Sequence, residues 1–168
     1  MSTKKLKTER LFLLPFTIKL CQLVIEKDFE SLMEEGLFPG TGYPDQETLE
    51  TIPKIIKNLQ LVNAPTGFES WLIVSKKEMK IIGDIGFKGI PNQSGEVDLG
   101  YGIIASERKK GYAFEAAKAL SDWALSNPDV KKITAKCFIE NIGSAKLLEK
   151  LNFKTISTDT TMLHWVLT

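Results

Sequence analysis

Two carboxylates and a basic, glycine-containing loop stand close together in the segment from Glu96 to Leu120. Glu96 and Asp98 are two residues apart, so on a strand both side chains project from the same face and form a paired acidic site. A carboxylate within hydrogen-bonding reach of a reacting group can accept its proton. The pair is therefore a candidate general base, and the alternative is two solvated charges at the start of a strand.

The basic loop follows directly and leads into an apolar helical pattern. It consists of Arg108, Lys109, Lys110 and Gly111, and the pattern begins at Tyr112 and Ala113. Backbone N–H groups at a helix start have no intrahelical partners and lie at the positive end of the helix dipole, where they bind phosphate. The spacing predicts a phosphate or pyrophosphate cradle, and the alternative is a solvated turn with a turn glycine.

The elements that must position these residues are predicted from hydrophobic periodicity and turn residues. Alternating and continuous apolar runs predict strands at Arg10–Leu14, Ser70–Ser75, Ile81–Ile90, Glu96–Ile104 and Lys132–Phe138, and in a final pair ending in Met162–Leu167. Helical spacing predicts helices at Ile18–Met33, Asp45–Val62, Ala113 to before Pro128, and Asn141–Leu151.

This order of elements predicts an α/β (α+β) fold. The middle of the chain reads as an antiparallel meander, and one strand–helix–strand crossover joins the cradle strand to Lys132–Phe138. Such a crossover places its two strands in parallel and close together, with the helix on one face. We expect one domain spanning residues 1–168, because a chain of this length holds a single core and shows no linker or repeat.

Charge and cysteine content narrow the classes of function. The chain has 22 basic and 21 acidic residues, so no global field recruits nucleic acid or an anionic membrane. Cys21 and Cys137 form no CxxC motif and no Cys/His cluster, which argues against a disulfide framework or a structural metal site. No apolar run approaches the roughly 20 residues that span a bilayer. We therefore expect a soluble, cytoplasmic protein without a metal.

The loop Arg108-Lys109-Lys110-Gly111-Tyr112-Ala113 resembles the Q/R-x-x-G-x-G/A loop of the GCN5-related N-acetyltransferase (GNAT) superfamily. Other segments agree in order and spacing with the branch that acetylates the amino termini of ribosomal proteins. These segments are Thr8-Glu9-Arg10-Leu11 with Pro15, Leu99-Gly100-Tyr101, Gly111 to Ala116, and Asn141-x-x-Ser144 followed by Leu147 and Phe153.

The resemblance implies a twisted, mostly antiparallel sheet of about six or seven strands with about four helices, splayed where acetyl-CoA binds. It implies that the loop binds the pyrophosphate of acetyl-CoA and that strand backbone groups pair with the pantetheine arm. The cofactor-binding residues implied in this way are Ile103, Ile104, Arg108, Lys109, Lys110, Gly111, Tyr112, Ala113, Asn141 and Ser144.

The resemblance also implies catalytic roles. Glu96 falls close to the strand position that supplies a general base in some members, and Asp98 occupies a site that is often acidic in this branch. Ser144 would return a proton to the departing CoA thiolate, although helix capping also explains the Asn141 and Ser144 pattern. Leu148 stands where many members have the tyrosine thought to protonate that thiolate, so the general acid is left open. Asn152 replaces a common glycine.

The expected activity is transfer of an acetyl group to a primary amine, either a protein amino terminus or a small molecule, in a protein that could pair as a homodimer. Leu148 motivates the alternative of a non-catalytic CoA-binding module. Gly100-Tyr101-Gly102-Ile103-Ile104-Ala105 also matches the dinucleotide fingerprint G-x-G-x-x-A. That reading fails on context, because these glycines lie inside a strand pattern rather than at a helix start.

Overall fold

The computed structural model describes residues 4–168. Nine strands form one sheet: β1 (Leu6–Lys7), β2 (Leu11–Pro15), β3 (Phe38–Pro39), β4 (Ser70–Ser75), β5 (Lys80–Phe87), β6 (Glu96–Ile103), β7 (Lys132–Phe138), β8 (Lys154–Thr158) and β9 (Met162–Leu167). Five α-helices flank it: α1 (Ile18–Ile25), α2 (Phe29–Glu34), α3 (Gln46–Leu59), α4 (Tyr112–Leu125) and α5 (Ile142–Lys150).

The sheet runs in the order β1-β2-β4-β5-β6-β7-β9-β8, and β3 pairs with β5. Its pairs are antiparallel except for β6 with β7 and β3 with β5. Helix α4 connects β6 to β7 and packs against both strands, which is the predicted parallel crossover. The predicted α/β class with a mostly antiparallel sheet is confirmed.

The predicted helix Ile18–Met33 is divided into α1 and α2. Lys27 has a φ of 54°, a left-handed conformation that ends a right-handed helix. Asp28 then accepts a hydrogen bond from the Ser31 N–H and starts the second helix. The sheet also has more strands than predicted, because β1 and β3 are two-residue strands with no periodicity to detect.

The sheet opens between β6 and β7. The two strands pair from Glu96 with Lys132 to Leu99 with Ala135, and the ladder stops there. Beyond this point β6 continues to pair with β5, and β7 continues to pair with β9 as far as Phe138. Among residues 4–168, no strand covers one edge of the segment from Gly100 to Ile103, as the predicted splay requires.

A continuous apolar core holds the sheet to its helices. Trp71, Leu72 and Ile73 on β4 are fully buried, as are Ala117 and Leu120 on α4. The small alanines of α4 allow the helix to approach the sheet closely. Within residues 4–168 no helix has the length and apolar character needed to cross a membrane.

We expect Gly83→Ala to destabilise the protein, because a Cβ at Gly83 would lie 2.1 Å from the Gly102 carbonyl oxygen. Crowding of backbone in a packed sheet costs about 1–3 kcal/mol. Thermal unfolding of this variant is compared with Gly100→Ala, whose Cβ would meet nothing within 4 Å. Equal melting temperatures for the two variants would show that the strands are not packed as described.

Candidate active site

Among the five α-helices within residues 4–168, only α4 starts without a side-chain cap. Side chains of Thr17, Asp28, Asp45 and Asn141 cap the other four α-helices. Gly111 is the N-cap of α4. It has a φ of 83° and no side chain that could accept a hydrogen bond from the first N–H groups of the helix. The first N–H groups of α4 are thus left for an external anion.

The three basic residues of the loop before α4 are exposed but differ in their contacts. The Arg108 Nε donates to the Ile103 carbonyl oxygen at 2.8 Å, which ties the loop to the end of β6. The Lys110 Nζ lies 2.9 Å from a Glu107 carboxylate oxygen. Lys109 adopts a left-handed conformation with a φ of 63°. The loop thus carries three basic residues directly before the uncapped helix start.

Glu115 on α4 links the start of the chain to this loop. One carboxylate oxygen accepts hydrogen bonds from the Thr8 hydroxyl at 2.5 Å and the Arg10 N–H at 2.7 Å. The other accepts from the Arg10 Nε at 2.7 Å, and the Arg10 Nη1 donates to the Lys110 carbonyl oxygen at 2.9 Å. Burial alone would raise the pKa of the Glu115 carboxyl, but these hydrogen bonds lower it. We refer to these contacts of Thr8, Arg10 and Glu115 as the loop clamp.

The backbone of β6 presents hydrogen-bonding groups to the open edge of the sheet. The Ile104 N–H donates to the Ile82 carbonyl oxygen at 2.9 Å, so its direction is toward β5. N–H groups alternate in direction along a strand, so those of Tyr101 and Ile103 point toward the opening between β6 and β7. Two backbone N–H donors of β6, those of Tyr101 and Ile103, therefore line this opening.

Tyr101 and Ser144 meet across this opening. The Tyr101 hydroxyl lies 2.5 Å from the Ser144 Oγ, and the Ser144 N–H is capped by the Asn141 carboxamide oxygen at 3.1 Å. Burial raises the pKa of the Tyr101 phenol, an effect that the hydrogen bond to Ser144 reduces. Leu148 is fully buried and offers no group to this side of the site.

Glu96 and Asp98 lie at the other end of β6, in ion pairs. A Glu96 carboxylate oxygen is 2.8 Å from the Lys132 Nζ, and hydrogen bonds from Lys132 and Asn92 lower the pKa of Glu96. Asp98 pairs with Lys88 and accepts from the Thr134 hydroxyl at 2.9 Å. At about 3.3 Å per residue, Glu96 is about 17 Å and Asp98 about 10 Å along the strand from Tyr101.

A pocket of about 580 Å³ lies between α3 and the strands β5 and β6. Asp84 lines it and stands opposite Gly102 in the β5–β6 register. Burial, followed by the charges of Asp45 and Glu47, raises the pKa of the Asp84 carboxyl to about 7. Asp84 is not among the site residues predicted from the sequence. The available signal was one acidic residue between Ile81 and Phe87 in a strand otherwise made of isoleucine, glycine and phenylalanine.

The residues that are present fit acetyl-CoA as a cosubstrate. The uncapped start of α4 suits a pyrophosphate, and the exposed edge of β6 suits the amides of a pantetheine arm. Among residues 4–168 no group of three or more histidine, cysteine, aspartate or glutamate side chains could hold a metal ion. Fold and site together define an acyl-CoA-dependent transferase.

The chain belongs to the GNAT acetyltransferases: the family model described as "Acetyltransferase (GNAT) domain" matches residues 10–154. A relative from Bacillus subtilis, described as "Uncharacterized N-acetyltransferase YjdG", is 37% identical over 161 residues, which are 96% of each chain. The predicted family is confirmed. The protein is an acetyl-CoA-dependent acyltransferase, so the family supports catalysis rather than a non-catalytic CoA-binding module.

Solved structures of the same fold include an acetyltransferase from Agrobacterium tumefaciens, with 23% identity, a TM-score of 0.69, and coverage of 100% of this chain and 96% of that one. Another is RimL, a ribosomal L7/L12 α-N-protein acetyltransferase in complex with coenzyme A. It has 15% identity and a TM-score of 0.69, and the match covers 98% of this chain and 97% of that one. The chain thus shares its fold with these two acetyltransferases, one of which was solved with coenzyme A.

We expect Glu115→Gln to weaken acetyl-CoA binding, because it removes the charge that holds Arg10 and the loop clamp. Hydrogen bonds to a charged group contribute about 1.5–3 kcal/mol, so we expect a dissociation constant about tenfold higher. Calorimetric titration measures it. The control is Asp122→Asn on the same helix, which breaks an exposed pair with Lys118 and should change little. Equal affinities for both variants would contradict a role for the loop clamp.

The raised pKa of Asp84 predicts a pH dependence of stability. An aspartate in the unfolded chain has a pKa of about 3.9, whereas that of Asp84 is raised to about 7. Between these values the folded state binds more protons, so the free energy of unfolding falls as the pH rises. Asp84→Asn should therefore be more stable than the native protein at pH 8, by on the order of 1–4 kcal/mol, and less so at pH 5.

Urea denaturation at pH 5 and pH 8 measures this difference, and Asp122→Asn again serves as the exposed control. A stability difference between Asp84→Asn and the native protein that is the same at both pH values would contradict the raised pKa.

Proposed function

We propose that the protein transfers an acetyl group from acetyl-CoA directly to a primary amine while both are bound. The observation that carries this proposal is the meeting of two spaces at the middle of β6. The open edge of β6 and the α4 start form one space, and the pocket under α3 forms the other. Tyr101 and Gly102 stand where they adjoin, so a thioester in the first space would face an amine in the second.

The chain would hold acetyl-CoA through backbone groups and loop charges. The N–H groups at the start of α4, including those of Tyr112 and Ala113, would bind the pyrophosphate with Lys109 and Lys110 nearby. The backbone of Ile103 would pair with the pantetheine amides as a further strand would. The Tyr101 N–H points into the same opening and would polarise the thioester carbonyl, which stabilises negative charge on its oxygen during attack.

Ser144 would return a proton to the departing thiolate. Its hydroxyl faces the opening and lies 2.5 Å from the Tyr101 hydroxyl, which can supply the proton that Ser144 gives up. This pair offers an acid at the position where Leu148 offers none. Asn141 fixes the first turn of α5 and thereby the direction of Ser144.

The roles of Glu96 and Asp98 as general bases stay predictions. Both carboxylates are engaged by lysines, and the lowered pKa of Glu96 makes it a weaker proton acceptor. For either carboxylate to act as the base, a chain of water molecules would have to carry the proton along β6, or the amine would have to extend along β6 to that carboxylate. Their variants therefore belong in any test of the base.

The proposal also concerns the class of amine that accepts the acetyl group. The likeness to RimL supports a protein amino terminus, since that enzyme is described as an α-N-protein acetyltransferase. The pocket under α3 is of a size that also admits a small amine. We further propose that the chain acts as a single domain in the cytoplasm, and that homodimer formation is compatible with this site.

The test is release of the CoA thiol from acetyl-CoA in the presence of an amine panel: a peptide with a free amino-terminal serine, lysine, and 1,4-diaminobutane. Acetylated product is identified by mass spectrometry. Turnover of at least one amine above the rate of acetyl-CoA hydrolysis is expected. Tight binding of acetyl-CoA without turnover of any amine would instead favour the CoA-binding module.

We expect Ser144→Ala to lower kcat by about 10- to 100-fold with little change in the KM for acetyl-CoA, since it removes a proton donor rather than a binding contact. The matched control is Ser157→Ala on the exposed strand β8, which should retain native kcat. Loss of acetyl-CoA affinity with unchanged kcat in Ser144→Ala would identify Ser144 as a binding and capping residue only.

A further inference from the structure

We propose that Asp84 is the catalytic base of acetyl transfer and that the pocket under α3 receives the acceptor as a primary ammonium. This inference rests on the proposed function and names the residue that prepares the amine for attack. It differs from the sequence-based assignment of the base to Glu96 or Asp98. Its support lies in the register of two strands, the space above them and the charges that surround Asp84.

The register places Asp84 beside the reacting atoms. Asp84 stands directly opposite Gly102, and directly opposed residues of an antiparallel pair project from the same face of the sheet. The Cα atoms of such a hydrogen-bonded pair are about 5.5 Å apart. Gly102 lies between Tyr101 and Ile103, whose N–H groups face the opening for acetyl-CoA. An amine held by Asp84 would therefore be one strand away from the thioester.

The part of the β6 face next to Asp84 carries no side chains, because Gly100 and Gly102 follow Glu96 and Asp98 on that face. A Cβ built at Gly100 or at Gly102 would meet nothing within 4 Å, so both positions adjoin open space. On the opposite face of the strand, Val97, Leu99 and Ile103 are buried. The two glycines leave this part of the β6 surface free, so an acceptor can lie across it and reach the opening between β6 and β7. Any larger residue at Gly102 would fill this route.

Asp84 has no partner of its own in the part of the chain that the structure covers, residues 4–168: its carboxyl makes no side-chain hydrogen bond or ion pair there. Asp45, by contrast, is occupied, because one of its oxygens accepts from the Thr48 N–H at 2.9 Å and from the Thr48 hydroxyl at 2.7 Å. The buried Tyr43 hydroxyl also has no hydrogen-bond partner among the described residues, and burial, followed by the charge of Asp84, raises the pKa of this hydroxyl. An ammonium group would satisfy the free carboxyl.

The charges around the pocket are ordered along α3. Asp45 and Glu47 lie at the start of the helix, and their charges act on Asp84. The other charged groups that line the pocket are Lys54, Lys57 and Lys88. Because the helix rises about 1.5 Å per residue, Lys54 is about 10 Å and Lys57 about 15 Å along the axis from Glu47. Lys88 is paired with Asp98. The end of the pocket near Asp84 is therefore acidic and favours a cation.

The proton balance of the step is complete. The Asp84 carboxylate takes one proton from the bound ammonium and leaves a neutral amine. The amine nitrogen attacks the thioester carbonyl carbon, so a C–N bond forms and the C–S bond breaks. The Ser144 and Tyr101 pair protonates the thiolate, the second proton lost by the amine nitrogen restores this pair, and Asp84 then releases its proton to the solvent. The raised pKa of Asp84, about 7, allows this carboxyl to accept and release a proton near neutral pH.

The test compares steady-state kinetics of Asp84→Asn with the native protein, using whichever amine of the panel the native protein acetylates. We expect kcat/KM for the amine to fall by about 100-fold or more, with the dissociation constant for acetyl-CoA unchanged. The native kcat/KM should rise with pH through an ionisation near 7, and this rise should be absent in Asp84→Asn. Asp84→Glu should recover part of the rate. The control Asp122→Asn should behave as the native protein does.

Glu96→Gln and Asp98→Asn are measured in parallel. Native kcat/KM in Asp84→Asn, or loss of the pH-dependent rise in Glu96→Gln instead, would overturn the assignment of Asp84 while leaving amine acetylation intact. A native protein that binds acetyl-CoA but acetylates no amine of the panel would overturn the proposed function itself, and this inference with it.

Discussion

The ladder between β6 and β7 ends at Leu99 and Ala135, and the site depends on this unpaired edge. Backbone N–H groups that a neighbouring strand would otherwise occupy become available to a ligand. The cost is offset elsewhere in the sheet, because β5 continues to pair with β6 and β9 continues to pair with β7 through the opened region. The opening is thus held between two strands that stay paired on their outer sides, as an enzyme that must hold a long thioester requires.

Two further features extend this opening into a site. At one end, Gly111 starts α4 without a side-chain cap, and the loop clamp holds the preceding loop in place. At the middle, the glycines of β6 leave one face bare beside Asp84. The anionic cosubstrate can therefore approach these atoms along the open edge of β6, and a cationic acceptor can approach them across the glycine face. This separation of charges suits a reaction in which both substrates are bound together.

Local patterns in the sequence predicted most of the scaffold. The change from strand to helical periodicity after Glu96 located β6, the basic loop and α4. The family resemblance predicted that the loop binds pyrophosphate. The break between α1 and α2 was not predictable, because a left-handed lysine at position 27 has no marked sequence signal. The contact between Tyr101 and Ser144 and the position of Asp84 opposite Gly102 depend on strand register and on long-range packing. Periodicity does not contain that information, so the residues facing the acceptor came only from the structure.

The most direct test of the account is calorimetric titration of acetyl-CoA into the native protein and into Gly111→Glu, which places a carboxylate at the α4 start. Gly36→Glu is the matched control, since Gly36 has a similar φ of 80° and open space around it but lies at the end of α2. The account predicts binding by the native protein and by Gly36→Glu, and loss of binding in Gly111→Glu. Undiminished binding by a folded Gly111→Glu would show that acetyl-CoA is not held at the start of α4.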